Sequence, residues 1–360
     1  MTKTIAVMTG GGDCPGLNAA IRAITRIAIN EYGYHVIGIR DGYEGLVEGR
    51  LRELTAADTR GILRIGGTML GSSNRTDLSH YIAPGETEPR DRRNDAFATL
   101  QQHGVEALIV IGGDGTMRLT YEFADGRIPV IGVPKTIDND VHGTDYSIGF
   151  QTCITTVADA IDKLHTTAES HHRILLLEVM GRHAGWVALH AGIAGGADVV
   201  LIPERAYTVD GIVETIRRRE ERGSRFTIGV VAEGVPSPAG EMIYRVRDGA
   251  SHSWKLGGVC DPLAISLADR TGSEVRAISL GHIQRGGSPV VADRLLATTL
   301  GAAAIEAVHQ GRHGVMVGVD GERVQYTALD TVATGPRLVP PDHTLLRAAD
   351  TMGMYVGESR

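Results

Sequence analysis

Residues 106–116 read EALIVIGGDGT, an unbroken apolar run from Ala107 to Ile111 that meets a turn of three glycines holding one acid, Asp114. An apolar run of this length, rich in β-branched residues and bounded by glycine, reads as a strand buried on both faces, as in a parallel sheet. The turn after it has almost no side chains. That leaves room for a polyphosphate along the main chain, with Asp114 as the carboxylate for the Mg²⁺ that neutralises it. The competing reading is that Asp114 only caps a helix starting near Thr116.

Working outward, runs of the same kind recur: TIAVMT at 4–9, HVIGI at 35–39, IPVIGV at 128–133, RILLLEV at 173–179, DVVLI at 198–202, FTIGVVAE at 226–233, EVRAISL at 274–280 and VMVGV at 315–319. Helical patterns separate them. NAAIRAITRIAINEY at 18–32 puts Ala20, Ile21, Ile24, Ile27 and Ala28 on one face, and VETIRRREERG at 213–223 reads as an exposed helix ending at Gly223. Alternating β and α units predict an α/β protein of Rossmann-like, doubly wound domains around mostly parallel sheets. Residues 72–95 and 234–258 are polar and carry Gly and Pro, so both are expected to be irregular surface loops or lids.

Composition narrows the function. Glycine supplies 47 of 360 residues without a collagen-like period, so it serves turns and close backbone approaches. A length of 360 residues at 42% hydrophobic content suits about two domains with large cores. The net charge of -7 and the lack of a long basic run argue against a nucleic-acid partner. Cys14, Cys153 and Cys260 are widely spaced and odd in number, which points away from a disulfide framework or zinc site and towards a reducing cytoplasm. The N-terminal MTKTIAVMTGGGD has no signal-like pattern, and no window reaches the ~18 apolar residues of a membrane span, so no membrane partner is expected.

In an open α/β sheet, ligands bind at the carboxyl ends of the strands. Three glycine-marked strand ends compete for that place: TGGGDCPGLNAA at 9–20, IGGDGT at 111–116 and GVPKTIDND at 132–140. The first has neither Walker nor GxGxxG spacing, so an anion site at a helix start and a ligand-free tight turn both remain open. In the third, Asp138 and Asp140 stand two apart and would face one side in extended backbone, one taking a proton while the other assists; as ordinary turn formers they need no chemistry at all. Arg173, Arg182, Arg276 and Arg285 near strand ends suit phosphate oxygens. His282 reads as a neutral hydrogen-bonding side chain, and Glu233 as either an acceptor for a substrate hydroxyl or a turn residue.

GGGDCPGLNAAIR, IGGDGT, PKTIDND, GTDYSIGFQT, EVMGRHAGW and LGHIQRGGSP, in this order from about residue 4 to about residue 320, closely resemble the bacterial-type 6-phosphofructokinase family, in the branch that combines GGDGT with PKTIDND. The resemblance implies a donor domain at 1–149 plus about 287–335, a fructose 6-phosphate domain at 150–286 plus about 336–360, and an active site in the cleft between them. It implies Asp138 as the base on the 1-hydroxyl of the sugar, with Asp140 nearby and Thr136 and Ile137 lining the substrate site. Asp114 is implied as the Mg²⁺ ligand, and Gly12, Gly113, Asp114, Gly115 and Thr116 as the cradle for ATP, joined by Arg75 or Asn74. Met180, Gly181, Arg182, Glu233, His282 and Arg285 would grip fructose 6-phosphate, with Arg182 also stabilising the transferring group. Arg173 and Arg276 would reach that phosphate from a neighbouring subunit of a homo-oligomer, usually a tetramer.

Two departures bear on donor and regulation. Lys135 replaces a glycine common in the family, and that lysine accompanies pyrophosphate use, yet Gly115 stands where pyrophosphate enzymes carry a second aspartate. An aspartate there would repel the α-phosphate of the donor, so glycine favours ATP, with pyrophosphate as the alternative. Arg22 and Arg26 match effector-site residues of the family, but His165 stands in place of an arginine, which leaves allosteric control open. A catalytically silent nucleotide-binding subunit, or a NAD or lipid kinase suggested by GGDGT alone, is the reading from other classes.

Overall fold

The computed structural model of the chain describes residues 2–73, 76–83, 85–247 and 254–358. Its contacts form two compact units, Met1–Thr152 with Arg285–Pro336, and Cys153–Gln284 with Arg337–Arg360. All nine apolar runs are strands.

The first unit holds β1 (Thr4–Thr9), β2 (His35–Ile39), β3 (Leu51–Leu54), β4 (Val105–Gly112) and β5 (Val130–Pro134), with β12 (Val315–Asp320) and β13 (Arg323–Ala328) from the returning segment. They make one seven-stranded sheet in the order β13-β12-β5-β4-β1-β2-β3. Strands β12, β5, β4, β1 and β2 run parallel, whereas β13 and β3 pair antiparallel at the two edges. The sequence expectation missed those two edges for a physical reason: LREL and RVQYTA are partly solvated, and an edge strand needs no apolar run. In the interior, Ala107 to Ile111 of β4 are shut away from solvent. The helices Leu17–Tyr32 and Val291–His309 pack together on this unit, with the Ala20, Ile21, Ile24 and Ala28 side of the first one buried.

The chain leaves β1 towards β2 and leaves β4 towards β5, on opposite sides of the same strand pair. Such a switch point opens a crevice outside the carboxyl ends of the two strands. Here those ends carry Gly10–Gly12 and Gly113–Gly115, and the Gly10 N–H donates to Ile111 O at 2.9 Å.

The second unit holds β6 (Ile174–Val179), β7 (Val199–Leu201), β8 (Thr227–Ala232), β9 (Tyr244–Arg247), β10 (Trp254–Leu256) and β11 (Val275–Ser279). An all-parallel sheet has the order β11-β6-β8-β7, and its switch point falls between β6 and β8. Two corrections to the expected loops follow. Strands β9 and β10 form an antiparallel hairpin inside 234–258, too short and polar to show in the sequence. Within 72–95, Tyr81 and Arg90 form an isolated bridge and the helix Arg93–Gln102 has already begun.

Cys14, Cys153 and Cys260 are buried and form no disulfide among the described residues. Among the described residues, no helix is long and apolar enough to cross a membrane.

Candidate active site

At the switch point of the first unit lies a cavity of about 340 Å³, floored by the main chain of Gly10, Gly11, Gly12, Gly113 and Gly115. Its size suits a small polar ligand. The helix Asp114–Ala124 begins with Gly113 as its N-cap, so Asp114 is the first helical residue. The helix thus starts two residues earlier than the capping alternative required. Unpaired N–H groups and the positive end of the helix dipole favour an anion there. A Cβ on Gly112 would lie 2.4 Å from Thr116 Cβ, whereas a Cβ on Gly115 would meet nothing within 4 Å. The first glycine is needed for packing; the second leaves open space.

Lys135 and Arg285 complete the floor. Lys135 is buried, its Nζ donates to Gly12 O at 2.6 Å, and burial holds its pKa below the usual lysine value. It therefore ties down the first glycine turn as well as adding charge. Arg285 Nη1 donates to Asp13 O at 3.3 Å and would stand 2.5 Å from a Cβ on Gly12.

Residues 136–140 follow β5 as a turn, with Asn139 at φ 54°, so the extended backbone expected for Asp138 and Asp140 is not realised. The two carboxylates nevertheless act on each other. Burial raises the pKa of Asp138, while Arg285 and Lys135 pull it back down. Asp140 is pushed up to about 6, first by burial and then by the charges of Asp138 and Asp114, against hydrogen bonds from its own N–H and from Thr136. Asp138 Oδ1 is shielded from solvent and has no hydrogen-bond partner among the described residues. Thr136 Oγ1 accepts the Asp138 N–H at 3.2 Å. Ile137 is fully buried.

Among the described residues, no three His, Cys, Asp or Glu side chains converge as a metal set. Asp114, in electrostatic reach of Asp140, fits the alternative in which Mg²⁺ takes one protein carboxylate and completes its shell with water and phosphate oxygens.

In the second unit, the carboxyl ends of β6 and β8 touch. Gly234 N–H donates to Gly181 O at 3.1 Å, and a Cβ on Gly234 would fall 2.1 Å from Arg182 O. Glu233 N–H donates to Val179 O at 2.8 Å, which sets Glu233 beside Met180, Gly181 and the exposed Arg182. Buried Gln284 accepts the Met180 N–H at 3.1 Å and donates from Nε2 to Gly281 O at 3.0 Å, bringing the turn with exposed His282 to the same strand end. Arg173 and Arg276 are not with this group in the chain. They share Glu274, at 2.9 and 2.7 Å, and Arg173 precedes β6, whose six residues span roughly 20 Å.

Arg75 and Asn74 lie outside the described residues. Arg26, which matches the effector site, donates to Thr59 Oγ1 at 3.0 Å, and His165, which stands in place of an arginine there, bonds Gly195 O through Nε2 at 2.8 Å, so each is engaged within its own unit. Sequence reasoning missed Tyr43, Ser73, Thr76, Arg118 and Leu119, all of which line the cavity. Arg118 and Leu119 were detectable, since they stand three and four residues after Gly115 on one helix face.

Residues 4–308 match the family described as Phosphofructokinase. The chain is 46% identical over 357 residues, 98% of both chains, to ATP-dependent 6-phosphofructokinase 2 of Clostridium perfringens. It is also 46% identical over 340 residues, 94% of this chain and 96% of the relative, to pyrophosphate–fructose 6-phosphate 1-phosphotransferase of Amycolatopsis methanolica. The solved phosphofructokinase from Saccharomyces cerevisiae matches with a TM-score of 0.80 at 33% identity, over 92% of this chain and 45% of the yeast chain, so this chain spans less than half of that one. A pyrophosphate-dependent phosphofructokinase from Nitrosospira multiformis shares the fold, with a TM-score of 0.82 at 20% identity over 99% and 93% of the two chains.

Proposed function

The chain belongs to the phosphofructokinase family, and we propose that it is a cytoplasmic kinase moving the γ-phosphoryl group of ATP to the 1-hydroxyl of fructose 6-phosphate. The products are fructose 1,6-bisphosphate and ADP. The observation that carries this reading is Asp138, whose shielded Oδ1 has no partner among the described residues while Arg285 and Lys135 act on it. An oxygen in that condition is ready to accept a hydrogen bond from a substrate alcohol and then its proton, and such general-base help is worth roughly 10²–10⁴-fold. Burial raises the basicity of Asp138, and the charges of Arg285 and Lys135 oppose that shift by favouring the carboxylate.

The glycine turns and the N-terminus of the helix Asp114–Ala124 hold the donor phosphates through main-chain N–H groups. Asp114 would hold Mg²⁺, which when bound neutralises charge on the β- and γ-phosphoryl oxygens. Met180, Gly181, Glu233, His282 and Arg285 bind the sugar phosphate, and Arg182 offers a planar cation to the transferring group. Arg173 and Arg276 contribute to a neighbouring subunit's sugar phosphate in a tetramer. The open space at Gly115 favours ATP. Pyrophosphate is the second reading, supported by Lys135 under the first glycine turn and by the equally similar Amycolatopsis relative.

An aldolase-coupled assay run with each donor tests the proposal. ATP should turn over in wild type, and Asp138→Asn should lower kcat by roughly 10²-fold or more with the KM for ATP little changed. Turnover with pyrophosphate and none with ATP would overturn the donor assignment, and an active Asp138→Asn enzyme would overturn the base.

A further inference from the structure

Asp138 sits in a turn that its own side chain does not secure, so something else must fix its position. The geometry points to Asn139 and Ser147 as a buried brace that positions Asp138 for proton abstraction, an inference that rests on the kinase reading above. Asn139 is 2% exposed and Ser147 fully buried. Asn139 stands at φ 54°, a left-handed backbone that asparagine tolerates better than most side chains. Its carboxamide is used at both ends: Nδ2 donates to Asp145 O at 3.0 Å, and Oδ1 accepts the Ser147 N–H at 2.9 Å. The Ser147 hydroxyl donates to Thr136 O at 2.7 Å. Ser147 thus grips the chain on either side of Asp138, two residues before it and one after.

The brace is anchored in turn to the edge of the sheet. Asp145 N–H donates to Val319 O at 2.9 Å, and Asp145 Oδ2 accepts the Gly321 N–H at 2.8 Å. Thr144 Oγ1 accepts the Val319 N–H at 3.1 Å. The hairpin of β12 and β13, which carries no candidate ligand group, thereby becomes the fixed support of the catalytic turn. Asn139 and Ser147 touch no reacting atom in this scheme; they are positioning residues.

Asn139→Gly separates the two jobs of Asn139, because glycine adopts the left-handed backbone freely but has no carboxamide. Misplacing a catalytic group by about 1 Å costs up to roughly 10²-fold. Kinetics of Asn139→Gly and Ser147→Ala should therefore show kcat down about 10–100-fold with the KM for ATP near wild type, a melting temperature lowered by the buried partners left unpaired, and a loss of kcat smaller than that of Asp138→Asn. Should Asn139→Gly fail to fold, Ser147→Ala, which deletes the hydroxyl's bonds to Thr136 O at 2.7 Å and Asn139 Oδ1 at 3.2 Å but keeps the N–H bond to Asn139, carries the test. Wild-type kcat in a folded Asn139→Gly or Ser147→Ala enzyme, beside a crippled Asp138→Asn, overturns the brace and leaves the kinase reading standing. Full activity in Asp138→Asn overturns the kinase reading itself.

Discussion

Gly115→Asp is the perturbation that probes the donor site most directly. Gly115 is the second residue of the helix Asp114–Ala124 and is exposed, and an added Cβ would meet nothing within 4 Å. The free protein should tolerate the change: replacing glycine and adding a negative charge in the first helical turn each contribute up to about 1 kcal/mol of stability. Repulsion from nearby Asp114 offsets part of that gain. With donor bound, the new carboxylate stands beside the phosphate chain. Two unit charges about 5 Å apart at an effective dielectric near 20 repel by roughly 3 kcal/mol, which corresponds to about 10²-fold in kcat/KM for ATP. Steady-state kinetics with ATP varied, paired with a thermal melt of the free protein and calorimetric binding of fructose 6-phosphate, separates donor repulsion from damage. A kcat/KM for ATP within about threefold of wild type, or a loss matched by equal weakening of the sugar phosphate, refutes the reasoning.

Other expectations follow from the same geometry. Asp140 has its pKa raised from 3.8 to about 6, so ionising it costs folding free energy; the cost is absent below pH 4, grows as pH rises to about 6 and stays in full above that. Asp140→Asn should therefore melt higher than wild type at pH 7.5 and equal to it at pH 4, and a constant difference across that range would contradict the assignment. Buried Glu178 accepts the N–H groups of Gly258 at 2.8 Å and Cys260 at 3.1 Å. Glu178→Leu strands both donors and should lower stability by about 1–3 kcal/mol for each, read as a lower urea midpoint. If Arg276 acts on a neighbouring subunit, co-refolding inactive Asp138→Asn with Arg276→Ala should restore part of the activity that neither has alone. Mixed oligomers with no gain would refute that role.

Much of the architecture was legible because parallel strands are buried on both faces and must be continuously apolar, as β4 and β6 are. Strands β3, β9, β10 and β13 escaped because an edge or hairpin strand can be short and polar, its pairing set by neighbours distant in sequence. The candidate site divides in the same way. Asp114, Asp138 and the glycine turns stand at strand ends, where chain order alone suggests a ligand. Asn139, Ser147 and Gln284 announce nothing in the sequence, since their roles depend on which distant carbonyl or N–H lies within 3 Å or so.

By itself the sequence determined the alternation of strands and helices, the glycine-marked strand ends and the kinds of charge available there, because each depends on local pattern and composition. Only the tertiary structure decided that Asp138 and Asp140 share a turn rather than a strand, that Lys135 is spent on Gly12 O, that Ile137 turns inward and that Arg173 stays with Glu274. Those outcomes depend on burial and on partners brought in from far along the chain, and local pattern carries no record of either.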